Sequence, residues 1–297
     1  MSPTTNLQHK QAGAIVTRFA PSPTGLLHIG HAYSAMFAAA AAQKAEGCFL
    51  LRIEDIDTGR CRPVFETAIF EDLQWLGLRW ETPVRRQSDH ISDYAAALEN
   101  LQRADLLYPC FCTRKDLRRE ADASVSAPHG PDGSVYPGTC RNLTAQARES
   151  RIASGVSYAL RLDMKKSLQR LNRDQSKEPL TFFDQVRGRI TVDFHGCGDV
   201  VLARKDIHTS YHLAVVVDDA FQGVTLVTRG EDLLHATHVH RVLQKLLNFP
   251  EPAYHHHPLL RDSSGKRFAK RTFGATLASL RKGGAAASDI HAMIRLP

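Results

Sequence analysis

Apolar and polar positions follow two rhythms along the first hundred residues. Residues 15–19 (IVTRF) and 48–53 (CFLLRI) are short apolar runs of strand length, each bounded by breakers. Between them, 33–45 consists of strong helix formers and stops before Gly47. Residues 64–76 and 92–107 repeat their apolar positions at helical spacing. Strand, helix, strand, helix in this order predicts an α/β fold built on a doubly wound parallel sheet.

The rhythm breaks after Leu107. A cysteine cluster comes first, then a Gly/Pro/Ser-rich stretch (SVSAPHGPDGSVYPG), then strand-like pieces such as SYALRLDM and GRITVDF. This composition predicts an inserted α+β domain over 108–200. Parallel-sheet character is expected to return over 212–234 (HLAVVVDDAFQGVTLVTRGEDLL), followed by a helix at 241–249 and a helical end over 275–296. The expected partition is therefore 1–107 and 201–250 as two halves of one sheet domain, 108–200 inserted, and 251–297 as a loop with a short helical region. There is no internal repeat and no heptad run.

The 38 Lys and Arg outnumber the 31 Asp and Glu, for a net charge of +7, which favours a polyanionic partner such as nucleic acid. No apolar run reaches the roughly 18 residues of a membrane span. No apolar leader segment stands at the start, so the expectation is a cytoplasmic protein. Six cysteines in a chain of 297 residues are clustered, not paired, which points to metal and away from disulfides. Cys110, Cys112 and Cys140 are the candidate ligands; Cys48, Cys61 and Cys197 read as packing residues.

Candidate chemistry concentrates where the first strand ends. A Pro/Gly loop there opens a helix, so backbone N–H groups and the positive helix end suit a phosphate. The loop has neither the GK[ST] ending of a P-loop nor the GxGxxG of a dinucleotide site. His28 and His31 stand at i and i+3, one turn apart, and could donate to charge developing on a phosphate. Arg18 ends the first strand, where a guanidinium fork suits a carboxylate, and Glu54 ends the second, where it can pair with an ammonium. Asp55 and Asp57 read as loop-organising residues. The triplet His255-His256-His257 precedes Pro258 on a strand-like stretch, where alternating neighbours cannot all face one ion.

The stretch RFAPSPTGLLHIGHA (18–32) resembles the HIGH signature of class I aminoacyl-tRNA synthetases, in the form of the glutamyl/glutaminyl subgroup. LLRIEDIDTGR (50–60) and the 212–234 stretch are similar to the same subgroup, and DSSGKRFAKR (262–271) stands where its second signature, the KMSKS loop, falls. The resemblance implies a Rossmann-like domain with His28, His31 and Lys270 as catalytic residues. It implies ATP binding by these three with Gly30, and amino-acid binding by Arg18, Phe19, Ala20, Pro21, Ser22, Glu54, Tyr211 and Arg229. The second signature departs from the family pattern: Ala269 replaces its serine and Arg267 its first lysine.

Cys110-Phe111-Cys112 followed by YPGTC resembles the zinc site of the glutamyl-queuosine branch and of some bacterial glutamyl-tRNA synthetases, which implies one structural Zn²⁺ on Cys110, Cys112, Tyr136 and Cys140. His129 is the alternative fourth ligand. Some twenty residues follow the second signature, too few for an anticodon reader, and this too resembles that branch. The implied activity is ATP-dependent activation of L-glutamate without tRNA, Mg²⁺ assistance being part of the same implication, and transfer to queuosine at the wobble position of tRNA-Asp by a monomer. A truncated glutamyl-tRNA synthetase charging a 3′ end, and a non-catalytic RNA-binding paralogue, are the alternatives.

Overall fold

The first strand, Val16–Phe19, buries all four of its residues. It runs parallel to Cys48–Ile53, with Val16 opposite Cys48 and Phe19 opposite Leu51. That strand pairs in turn with Glu81–Arg86, again parallel. On the other side, Thr225 ties a later strand to the first: its amide donates to the Val16 carbonyl at 3.0 Å and its hydroxyl accepts from the Val16 amide at 2.8 Å. The strand it introduces, Leu226–Gly230, pairs in parallel with Ala253–His257. Strand order thus runs outward in both directions from the first strand. The order reverses between Val16–Phe19 and Leu226–Gly230, and in open α/β sheets such a switch point is where ligands bind, at the carboxyl ends of the strands.

These elements come from a computed structural model that describes residues 14–113, 115–116, 129–130, 133–134, 136–173, 178–194, 197–260 and 275–294. The chain divides into two compact units, one of Met1–Arg86, Gly223–Gly230 and Pro252–Pro297, the other of Gln87–Gln222 and Glu231–Glu251. This division by contacts differs from the four-part partition by sequence, because the helices flanking the inserted region group with it.

In the first unit the helix Ile29–Lys44 lies against the sheet through Ala32, Tyr33, Ala35, Met36, Phe37, Ala38 and Ala42. Small side chains allow the close approach, and the Thr17 hydroxyl donates to the Ala38 carbonyl at 2.8 Å. Gly47 follows because a Cβ there would sit 2.0 Å from the Ile15 carbonyl oxygen. The expected continuous helix over 275–296 is instead two helices, Leu277–Lys282 and Ala287–Ile294. Gly284 separates them with φ of +88°, which a helix does not accommodate. Leu277, Ile290 and Ile294 join the core of the first helix.

The second unit is built on helices Ile91–Arg103, Tyr211–Phe221 and Leu234–Leu246 and a three-stranded antiparallel sheet of Leu107–Cys110, Ala159–Leu162 and Val201–Ala203. Buried Asp218 accepts from Tyr94 Oη at 3.0 Å and Gln87 Nε2 at 2.8 Å. Asp199 gathers distant segments: its carboxylate accepts from Tyr108 Oη (2.6 Å), Arg141 Nη1 (2.8 Å) and the Met164 amide (3.0 Å), and its carbonyl from Arg161 Nη1 (2.6 Å). The expected return of parallel sheet over 212–234 resolves into a helix, Tyr211–Phe221, and a strand, Leu226–Gly230. The helix buries every residue from Leu213 to Asp219, so its apolar run carries no period to read. The same unit holds helices Ala145–Ala153 and Met164–Arg173 and two hairpins, His129–Gly130 with Gly133–Ser134, and Thr181–Asp184 with Gly188–Thr191.

Candidate active site and metal centre

Both signature histidines serve the start of their helix. His28 is the N-cap of Ile29–Lys44, and its Nδ1 accepts from the Gly30 amide at 3.1 Å. His31 reaches back, its Nδ1 accepting from the His28 amide at 3.2 Å, a capping box made of two imidazoles. The rings stack with centroids 3.8 Å apart. An Nδ1 that accepts carries no proton, so each neutral ring bears its hydrogen on Nε2, on the edge opposite the helix amides. In the neutral rings this capping geometry leaves the hydrogens on the Nε2 atoms, beside the positive end of a helix. Gly30 makes room for this: a Cβ there would lie 3.0 Å from His28 Cε1.

The loop between strand and helix is held from both sides. The Glu54 amide donates to the Pro21 carbonyl at 3.0 Å, the Arg62 amide to Pro23 at 3.0 Å, and the Thr24 amide to Ser22 at 2.8 Å. Asp57 closes the next turn, its carbonyl accepting from the amides of Arg60 and Cys61 and its carboxylate from Arg60 Nε at 2.9 Å.

Buried charges line the carboxyl ends of the same strands. Arg18 is buried and its Nη1 donates to the Thr228 carbonyl at 3.3 Å. Arg229, also buried, donates through Nε to His256 Nε2 at 3.2 Å, with its guanidinium 5.5 Å from the Tyr254 ring centroid. Glu54 is buried and accepts from Arg52 Nη2 at 3.2 Å. The unit thus gathers two guanidinium groups, one carboxylate and two imidazoles at these strand ends. The histidine triplet alternates: His255 and His257 both meet the Phe37 ring, while His256 stacks on Tyr254. His257 Nε2 also lies 3.2 Å from Ser34 Oγ.

In the second unit, Cys110, Cys112 and Cys140 bring their sulfurs within 4.8 Å of one another. Cys112 and Cys140 Sγ are 3.5 Å apart, and Tyr136 Oη lies 3.5 Å from Cys110 Sγ and 3.7 Å from Cys112 Sγ. A tetrahedral ion with arms of about 2.3 Å needs ligand-to-ligand edges of about 3.8 Å. The three thiols could hold a metal ion, and the Tyr136 phenol oxygen stands beside them. Burial pushes the Tyr136 hydroxyl up and the Cys112 thiol up to about 12. Burial raises Cys140 too, but the Phe111 amide at 3.4 Å and its neighbours' hydrogen bonds outweigh it and bring it down. A dication relieves this crowding of buried acids. The Arg161 guanidinium lies 3.8 Å from the Tyr136 ring centroid and fixes its plane.

Residues 14–287 match the family model of the catalytic domain of class I tRNA synthetases (E and Q). The chain belongs to this family. A Glutamyl-Q tRNA(Asp) synthetase of Rhodobacter capsulatus is 47% identical to this synthetase over 95% of the chain and 100% of the relative. Glutamate–tRNA ligase 2 of Nitrosococcus oceani is 37% identical over 91% of the chain and 56% of the ligase. Among solved structures, the glutamate-tRNA synthetase of Elizabethkingia anophelis superposes with a TM-score of 0.78 at 26% identity; the chain spans 61% of that structure's length. The family makes this chain an ATP-using ligase.

Within this class I synthetase, Arg18, Phe19, Ala20, Pro21, Ser22, His28, Gly30, His31, Glu54 and Arg229 all lie in the first unit, around the switch point. Tyr211 lies in the second unit, at the first position of its helix, with His212 and His240 rings 5.6 and 5.5 Å away. Lys270, with Arg267 and Ala269, falls outside the described residues, as does the side chain of His129. The stretch that follows Lys270 returns to the histidines: Thr276 bridges His28 and the Leu277 amide donates to the Leu27 carbonyl at 2.8 Å. Sequence reading missed three partners, Arg52 of Glu54, His256 of Arg229 and Thr276 of His28. Arg52 stands two residues before Glu54 on the same strand, a spacing visible in the sequence, whereas His256 meets Arg229 only through the pairing of two distant strands. No helix among the described residues is long and apolar enough to cross a membrane.

Proposed function

We propose that this synthetase activates L-glutamate with ATP in the absence of tRNA and transfers it to queuosine at the wobble position of tRNA-Asp. The observation that carries the reading is the pair of stacked histidines, with their Nε2–H donors fixed by helix capping, on the same unit as Arg18, Arg229 and Glu54. The 47% identity across the whole of a Glutamyl-Q tRNA(Asp) synthetase supports the acceptor.

In the first step an oxygen of the glutamate α-carboxylate attacks the α-phosphorus of ATP. The bond from that phosphorus to the bridging oxygen breaks, and pyrophosphate leaves. His28 and His31 donate to the non-bridging α-phosphate oxygens as charge builds; such donors contribute on the order of 3 kcal/mol each in favourable cases. Arg18 and Arg229 take the side-chain carboxylate and Glu54 the α-ammonium, while Tyr211 keeps the amino-acid-binding role that the family resemblance implies. Lys270 neutralises the leaving pyrophosphate, and Mg²⁺ supplies further charge compensation on it when bound. In the second step a hydroxyl of the queuosine cyclopentenediol attacks the acyl carbon, its proton leaves, and AMP departs. The mixed anhydride is already activated, so positioning carries this step. An unpaired wobble base is the sort of RNA feature such a pocket can take.

The metal is proposed to be one structural Zn²⁺ held by Cys110, Cys112, Tyr136 and Cys140; the near-tetrahedral edges support it. The test of function is transfer of labelled glutamate to tRNA-Asp carrying or lacking queuosine. Labelling of the queuosine-bearing tRNA alone, retained after removal of its 3′ adenosine, is the expected result. Equal labelling of both refutes the acceptor, and absence of glutamate-dependent ATP–pyrophosphate exchange without tRNA refutes the activation step.

A further inference from the structure

The hairpin of Thr181–Asp184 and Gly188–Thr191 has two unlike faces. On one, Phe182 is fully buried and meets His238 edge-on at 5.2 Å. Asp184, also fully buried, closes the turn: its Oδ1 accepts from the Val186 and Arg187 amides at 2.9 Å. Gly188 takes the left-handed φ of +74° that the turn requires. Strand alternation then forces Thr181, Phe183, Arg189 and Thr191 onto the opposite face.

That outer face is apolar and cationic at one spot. Phe183 is 46% exposed and stands directly opposite exposed Arg189 in the strand register. Arg189 Nη1 donates to Thr181 Oγ1 at 3.1 Å, and among the described residues no carboxylate pairs with it. Arg187, at the turn, is different: Glu231 lies 3.3 Å from its guanidinium and Asp184 3.9 Å. Charge is thus left uncompensated beside the exposed ring and balanced next door. The buried face anchors the ring's backbone, so ordering it for a ligand costs little entropy.

We infer that this face is a stacking platform for an unpaired nucleobase of RNA, with Phe183 taking the base and Arg189 the adjoining phosphate. A flat π surface beside an unneutralised guanidinium matches a base with its backbone charge, and the net charge of +7 favours the same partner. An apolar protein partner would gain one ring and leave a guanidinium to desolvate. The inference rests on the RNA partner of the proposed function and adds a second contact to it.

The test measures binding of the full-length protein to two probes at fixed salt, an unmodified anticodon stem-loop RNA of tRNA-Asp and a blunt RNA duplex of equal length. Phe183→Ala is expected to weaken stem-loop binding about 5- to 100-fold, the range of one stacked base, and to leave duplex binding within twofold. Phe183→Trp restores stem-loop binding. Arg189→Gln weakens it and lowers the slope of log affinity against log salt by about 0.7, one phosphate on a single strand. Stem-loop binding of Phe183→Ala within twofold of wild type overturns the platform. So does equal loss on both probes, failure of Trp to restore, or loss of self-association with RNA binding intact, which gives the face to a second copy. Wild-type protein that holds neither RNA overturns the partner class and the transfer step together, whereas the other failures leave that step standing.

Discussion

Gly30→Ala separates the two tasks of the signature histidines. The added methyl would stand 3.0 Å from His28 Cε1 and 3.2 Å from Nδ1, closer than van der Waals contact allows, so the ring must give way by a few tenths of an ångström. Its Nδ1 then leaves the Gly30 amide, at 3.1 Å already a long hydrogen bond, and the stack on His31 opens. Loss of an N-cap bond costs about 0.5–2 kcal/mol. Replacing glycine by alanine inside a helix returns up to about 1 kcal/mol. With typical values of about 1 kcal/mol on each side, the two nearly cancel and the net change in stability is small. Catalysis has no such compensation, because a donor moved off the α-phosphate forfeits charge stabilisation worth roughly 10²- to 10³-fold in rate. Glutamate-dependent ATP–pyrophosphate exchange should fall at least tenfold in kcat, with KM for glutamate little changed, while urea unfolding moves hardly at all. Exchange within twofold of wild type would refute the role given to the His28 ring. A rise in KM for glutamate at unchanged kcat would do the same.

Glu54→Gln removes the charged partner of the α-ammonium and leaves buried Arg52 beside a neutral amide; KM for glutamate in the exchange assay should rise about tenfold or more, with a smaller effect on KM for ATP. Cys112→Ser should abolish stoichiometric zinc in metal analysis, and full zinc content in that variant would contradict the ligand set. Arg281→Leu strips the cation from Asp72, which is fully buried and accepts from Arg281 Nη2 at 3.2 Å, so the variant should lose about 2–4 kcal/mol in urea unfolding near neutral pH. Burial already holds the Asp72 carboxyl above its usual range, with Arg281 opposing, and the variant raises it further. A carboxyl raised in the fold adds stability that is complete below its unfolded pKa and lost as pH rises through the folded one. The deficit should therefore shrink on acidification towards about pH 4; a deficit independent of pH would mean that Asp72 is not the group left exposed to the loss.

Much of the first unit was legible because breakers bracket its elements. The two apolar runs and the alanine-rich helix between them are separated by proline, glycine and a charged turn, and local rules decide such segments. The Tyr211–Phe221 helix was not legible as a helix: Leu213 to Asp219 are buried all round, and a run of valines with no polar face has neither period. The break at Gly283 and Gly284 was readable in principle, since paired glycines end helices, yet helix formers on both sides outweighed it. At the site, residue types were legible and orientations were not. That His28 and His31 accept through Nδ1, and so donate through Nε2, depends on helix amides whose positions exist only after folding. The Arg229–His256 hydrogen bond spans 27 residues, and the parallel pairing that creates it leaves no local trace.

Asp199 reaches back across a long stretch of the second unit. The last of the candidate metal ligands, Cys140, precedes it by nearly sixty residues, so a ribosome releases the whole ligand set well before the aspartate emerges. Yet Arg141, beside that last cysteine, and Arg161, which covers the Tyr136 ring, are both held by Asp199. A nascent chain could therefore bring the candidate ligands together early but lock Arg141 and Arg161 beside them only late. Chains ending just before residue 199 should take up metal yet release it to a chelator far faster than the complete protein.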